Sequence, residues 1–199
     1  MRPILAALLI LAALPARATV DGWPALFDVA GVAADDVLNV RAAPASDAAI
    51  VATLAPDATD IEVIRPNDTH GWGLVNTGEA TGWVSLAFLE RQPGQFEGAF
   101  PPVAQCFGTE PFWTLALDGD AATFSTPDGA TDGRVLGRLG SLSRRDRHGL
   151  HVALAEGRRI DGVISTEACS DGMSDREYGL AFDFVGTGGV LSGCCALSR

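Results

Sequence analysis

Apolar residues keep a period of two through most of this chain, the spacing of strands rather than helices. Between residues 33 and 91 the pattern breaks into short runs. Val37–Arg41 and Ile50–Leu54 come first, the second ending in the turn Pro56-Asp57. Asp60–Ile64 alternates, which puts Ile61, Val63 and Arg65 on one face. Gly71–Val75 and Gly82–Val84 follow, and Leu86, Phe88 and Leu89 close the unit. Short strands punctuated by Gly, Pro and Asp at roughly 8–12-residue intervals predict a small barrel.

A second series fills residues 103–199. Trp113, Leu115 and Leu117 alternate, Asp118-Gly119 turns the chain, and Ala121–Ser125 returns, a hairpin signal. Val135–Leu139, Leu150–Leu154, Ile160–Ser165, Leu180–Phe184 and Val190–Cys194 extend the series to seven strands. That many short strands with glycine turns predict an antiparallel sandwich or barrel. Residues 19–32, with Trp23-Pro24 and the apolar Leu26, Phe27, Val29 and Val32, are expected to lie against the first unit. Residues 92–102, with Pro93-Gly94 and Pro101-Pro102, read as an extended, semi-rigid linker. The fold class is all-β: a small barrel, then a second, disulfide-stabilised antiparallel domain.

The first 18 residues change the compartment. Arg2 gives a positive start, Ile4–Leu14 is an unbroken apolar run, and Pro15-Ala16-Arg17-Ala18 offers a small-x-small cleavage site near Ala18. The run is too short to cross a hydrocarbon core of about 30 Å. No later stretch is apolar enough for a span, so the expected location is the periplasm or the outside of the cell. Cleavage removes two arginines and no acid, leaving 12 arginines against 25 acids, a net charge of −13. Such a surface repels nucleic acid and anionic lipid. No lysine is present, so lysine-based chemistry is excluded.

Cys106, Cys169, Cys194 and Cys195 all lie in the second half. In an oxidising compartment four cysteines predict two disulfides. Neighbouring strand residues point to opposite faces, so Cys194 and Cys195 are expected to pair separately with Cys106 and Cys169. Which pairs with which stays open.

The first unit resembles a bacterial SH3 domain. Its marks are Leu38-Asn39-Val40-Arg41 followed by Ala42-Ala43-Pro44, Val51–Ala58, Gly71-Trp72-Gly73-Leu74-Val75, and Gly82-Trp83-Val84. The resemblance implies an SH3-like barrel at about residues 33–91 and a peptidoglycan or envelope-peptide ligand. The second unit carries Gly108-Thr109-Glu110-Pro111-Phe112-Trp113 and Cys169-Ser170-Asp171-Gly172-Met173-Ser174-Asp175. These resemble an uncharacterised family of bacterial envelope domains, which implies localisation and fold but no chemistry.

Trp72 and Trp83 are the candidate ligand-binding aromatics, with Asn76 and Asp68 as polar neighbours on predicted loops. The alternative for both indoles is burial, which would help close a core of only about 60 residues. An enzyme reading would pair Cys106 with His148 or His151 as a cell-wall peptidase. The strand pattern after Cys106 argues against the helix start such a thiolate uses. Glu110 with Asp171 or Asp175 would make a glycosidase pair, whereas Asp171-Gly172 also reads as a turn. Glu167, Asp171 and Asp175 do not match the spacing of an EF-hand loop. Arg144, Arg145, Arg147, Arg158 and Arg159 are the one basic concentration, a candidate dock for an anionic partner or a solvated hairpin flank. The leading expectation is a non-enzymatic envelope binding protein without cofactor or metal. A cell-wall hydrolase and a periplasmic inhibitor of wall-degrading enzymes are the alternatives, the last suited by an acidic surface.

Overall fold

The computed structural model describes residues 20–186 and 188–198; the expected leader, residues 1–18, lies outside them. The front body holds β1 (Ala25–Val29), β2 (Leu38–Arg41), β3 (Ile50–Leu54), β4 (Ile61–Val63), β5 (Arg65–Pro66), β6 (Trp72–Thr77) and β7 (Ala80–Ser85). A 3-10 turn, Leu86–Phe88, then leads to β8 (Leu89–Arg91). All ladders are antiparallel, in a five-stranded sheet β3-β2-β7-β6-β5 and a three-stranded sheet β4-β1-β8.

The chain crosses between the two sheets at Ile64, whose N–H donates to Leu74 O. This crossing breaks the expected alternation. Ile61 and Val63 face the core, but Arg65 turns the other way and lies 5.3 Å over the Trp83 ring. The buried core is Ala25, Phe27, Val29, Leu38, Val40, Val63, Val75 and Val84. It does not close around the indoles, a correction to the burial alternative. The inward positions of the β6–β7 hairpin belong to Gly73, Val75, Gly82 and Val84, and alternation sends Trp72 and Trp83 to the outer face, half-buried.

β1 is the middle strand of its sheet, with Phe27 opposite both Ile61 and Arg91. Beyond β8 the chain stays bound to β1 instead of running off as a spacer. The Gln95 amide accepts from Leu26 N at 2.6 Å and donates to Leu26 O at 2.9 Å. Gln92 Nε2 donates to Asp28 at 2.8 Å. An amide side chain thus stands in for a neighbouring strand's backbone, satisfying groups that would otherwise be orphaned.

The second body is β9 (Gln105–Thr109), β10 (Phe112–Asp118), β11 (Ala121–Thr126), β12 (Gly129–Gly140), β13 (Arg147–Leu154), β14 (Arg159–Cys169), β15 (Tyr178–Gly186) and β16 (Gly189–Ala196). Each strand pairs with the next, and β9 pairs with both β10 and β16, closing an eight-stranded barrel. β9 is the strand missing from the expected seven, and it decides barrel over sandwich. Closure leaves no free sheet edge.

An eight-stranded barrel is just wide enough for side chains to fill. Trp113, Leu115, Leu150, Ile164, Leu180, Phe182 and Phe184 fill this one. The Trp113 indole meets Phe184 edge-on at 5.1 Å. It fits because Gly193 stands where a Cβ would lie 2.7 Å from its ring. Along β16, Cys195 points inward to bond Cys106, and Cys194 points outward to bond Cys169. One bridge therefore lies inside the wall. The other lies outside it, in a small cluster with Phe107, Tyr178 and Ala196.

The bodies share an interface. Leu26 of β1 joins the barrel core beside Val103 and Leu197. Pro24 packs against Gly179, where a Cβ would come within 2.8 Å of its ring. Glu79 O accepts from Asp175 N at 3.0 Å. Among the described residues no helix is long and apolar enough to cross a membrane.

Candidate functional site

Two loops and a 3-10 turn build a groove on the front body. The alternation of β2 buries Leu38 and Val40 and turns Asn39 and Arg41 outward. Arg41 Nη1 donates to Ala48 O at 2.7 Å, which holds the 42–49 loop against the strand. Trp72 is placed by Asn67, whose Oδ1 accepts from both Gly71 N and Trp72 N at 3.0 Å. The 3-10 turn after β7 presents Phe88, which remains 42% exposed. These parts enclose a groove of about 500 Å³, lined by Trp72, Phe88, Val37, Asn39, Arg41 and Asp36 among others. Two aromatic faces, an amide, a guanidinium and a carboxylate can hold an extended peptide backbone and a charged side chain.

Of the sequence-derived candidates, Trp72 lines this groove. Trp83 shares its sheet face but is absent from the groove wall. It lies under Arg65, which in turn pairs with Glu177 of the barrel at 3.2 Å. Asn76 instead clasps the two bodies: its amide donates to Glu177 O at 2.9 Å and accepts from Glu177 N at 3.1 Å. Asp68 is exposed on the turn before β6, away from the groove lining. Phe88 and Asn39 join the site beyond the sequence-derived candidates. Asn39 is legible as an outward strand position, whereas Phe88 reads in the sequence as a core-closing residue.

The other chemistries find their residues committed elsewhere. Cys106 is disulfide-bonded and offers no thiolate. His148 is buried, its ring 5.6 Å from Phe100, and burial pushes its pKa down. His151 pairs with Asp161 at 2.5 Å. The Asp171 carboxylate accepts from Met173 N, Ser174 N and Ser174 Oγ, so it serves its own turn. Of the arginine concentration, Arg144 and Arg147 both pair with Asp146, at 2.6 and 3.0 Å. The Arg144 guanidinium holds that carboxyl down at about 2. Arg147 also reaches Glu167 at 3.2 Å.

A second feature lies between the bodies. Glu62 of β4, 9% exposed, accepts from Leu197 N at 3.0 Å through Oε2, while Oε1 is buried without a well-aligned hydrogen bond. Burial raises its carboxyl to about 7 against the opposing pull of the Leu197 and Ser198 N–H groups and the Arg176 charge. It lines a cleft of about 720 Å³ together with Asp60, Asn76, Asp118 and Arg176.

No family model, curated protein or solved structure matches the chain.

Proposed function

We propose that this is an exported cell-envelope binding protein whose front body, of bacterial SH3 type, holds peptidoglycan or an envelope peptide in the Trp72 groove. The observation that carries this reading is the Trp72 indole, which is only partly buried and lines an open groove together with the exposed Phe88, where a purely structural tryptophan would be buried. Two disulfides fit the oxidising compartment that the leader-like N-terminus implies. The disulfide at Cys106 makes the Cys/His peptidase the weaker alternative.

The test is co-sedimentation of residues 19–199 with purified peptidoglycan. The full chain is required because Leu26 of the front body is built into the barrel core. Binding that drops about tenfold in Trp72→Ala, with a cooperative melt lowered by no more than a few degrees, supports the groove. Absence of sedimentation across a range of salt, together with no binding to envelope peptides, rejects the reading.

A further inference from the structure

We propose that the cleft between the two bodies is a separate binding site for a small basic amino acid, with Glu62 receiving an ammonium group and Arg176 the carboxylate. The site does not depend on the groove at Trp72.

Size favours a small ligand. A cleft of about 720 Å³ lies within the range of small-molecule sites. Two unmet bonds of opposite sense favour a ligand with two ends. Glu62 Oε1 is a buried acceptor and Arg176 Nε a buried donor, and neither completes a well-aligned hydrogen bond within the protein, although the Ser198 N–H lies close enough to the Glu62 carboxylate to favour its charged form. Both residues line this one cleft. A buried polar group left unpaired forfeits its hydration without compensation, and a charged one forfeits more. An apolar residue at position 62 would avoid that cost and could still pack beside Leu26, its register partner on β1. A ligand with an ammonium at one end and a carboxylate at the other complements the charges of both residues from the cleft that they line.

Charge selects the class of amino acid. The cleft holds three carboxylates, Asp60, Glu62 and Asp118, against the single guanidinium of Arg176. A ligand with two ammonium groups and one carboxylate opposes the guanidinium and two of the three acids, whereas a neutral amino acid opposes the guanidinium and only one acid. The Asn76 amide is already spent on Glu177, so the cleft offers charge rather than amide bonding. Asp60 is held in place by Gln92 Nε2 at 3.0 Å and Thr59 Oγ1 at 3.3 Å. Among the described residues no three His, Cys, Asp or Glu side chains converge enough to hold a metal ion. The acids are spread for an organic ligand with separated charges.

Proton linkage supports the geometry. The charged groups that share the cleft with Glu62 are Arg176, from the loop before β15, Asp60 on the approach to β4, and Asp118 at the end of β10, and Arg176 is the one whose charge acts on the Glu62 carboxyl; Tyr178 lies under the Arg176 guanidinium at 5.5 Å. With its carboxyl raised to about 7, Glu62 must lose a proton to take an ammonium, so affinity should rise between pH 6 and pH 8.

Isothermal titration of residues 19–199 with L-lysine tests the site, with norleucine (no side-chain amine) and cadaverine (no carboxylate) as arms. Expected are saturable lysine binding, norleucine and cadaverine each about tenfold weaker, and a loss of about tenfold or more in Glu62→Gln. Arg176→Gln should weaken lysine but not cadaverine, which loses only a repulsive charge. Because Glu62→Gln could disturb the interface, Asp118→Asn at an exposed position is the second variant, with a loss of about threefold. The proposal is overturned if lysine shows no binding at millimolar concentration. It is equally overturned if cadaverine binds as well as lysine, the mark of generic attraction to an acidic surface, or if neither carboxylate variant changes affinity.

Discussion

Trp113 and Trp72 each stand at or next to the start of a strand, yet they end in opposite environments. Trp113 is 3% exposed among the aromatic rings inside the barrel, whereas Trp72 is half-buried on the outer face of β6. The difference follows from the room each body offers. The barrel interior takes an indole because Gly108 and Gly193 vacate the wall beside it. The front body's core is small and mostly aliphatic, and the room beside its inward Gly73 and Gly82 is already taken by Val63, Leu86 and Val40, leaving no such space. An indole inside stabilises; an indole left on the rim of a groove is available to a ligand.

Stability measurements can undo or refine that contrast. The largest effect belongs to the inner bridge. Replacing Cys106 and Cys195 by serine frees a loop with a sequence separation of 89 and should cost about 4–5 kcal/mol in denaturant melts. Opening the outer Cys169–Cys194 bridge, with a separation of 25, should cost about 3–4 kcal/mol. Equal losses would mean that loop length does not govern the barrel. Trp113→Ala should remove about 3–5 kcal/mol by leaving a cavity among packed rings.

The interface comes next. The Glu62 carboxyl is raised from 4.5 in the unfolded chain to about 7 in the folded one. The neutral acid is therefore favoured in the fold. Its contribution is fully present below about pH 4.5 and is lost as pH rises toward 7, a change of about 3 kcal/mol. Subtracting the Glu62→Gln profile from that of the parent between pH 4 and 8 should isolate this slope; parallel profiles would remove Glu62 as its source. The smallest stability effect is expected at Trp72→Ala, about 1 kcal/mol or less. A loss as large as that of Trp113→Ala would make Trp72 a structural residue and erase the contrast.

The alternating pattern makes the all-β class and most strands of the barrel legible, because each is bounded by turn chemistry such as Asp118-Gly119. β9 is harder to see: Gln105-Cys106-Phe107-Gly108-Thr109 alternates, but its two inward positions are a cysteine and a glycine, neither of which reads as a core residue. Placing Cys194 and Cys195 on opposite faces follows from strand geometry, and the pairing becomes definite only through the register of β16 with β9. Trp72 is legible in the sequence, whereas the place of Asn76 is not, because its partner, Glu177, lies 101 residues away. Glu62 is hidden for a related reason. Alternation turns it away from the front core, and only the docked barrel converts that outer position into a buried one.

The nesting of the two bridges has a consequence for how the chain matures. If the chain is exported as proposed, it emerges N-terminus first and presents Cys106 and then Cys169 before either partner on β16 has arrived. A bond made in order of appearance would join those two and has to be undone by thiol exchange before the barrel can close. Correct oxidation therefore waits on the last strand, and a disulfide isomerase, rather than an oxidant alone, should set the yield of native protein.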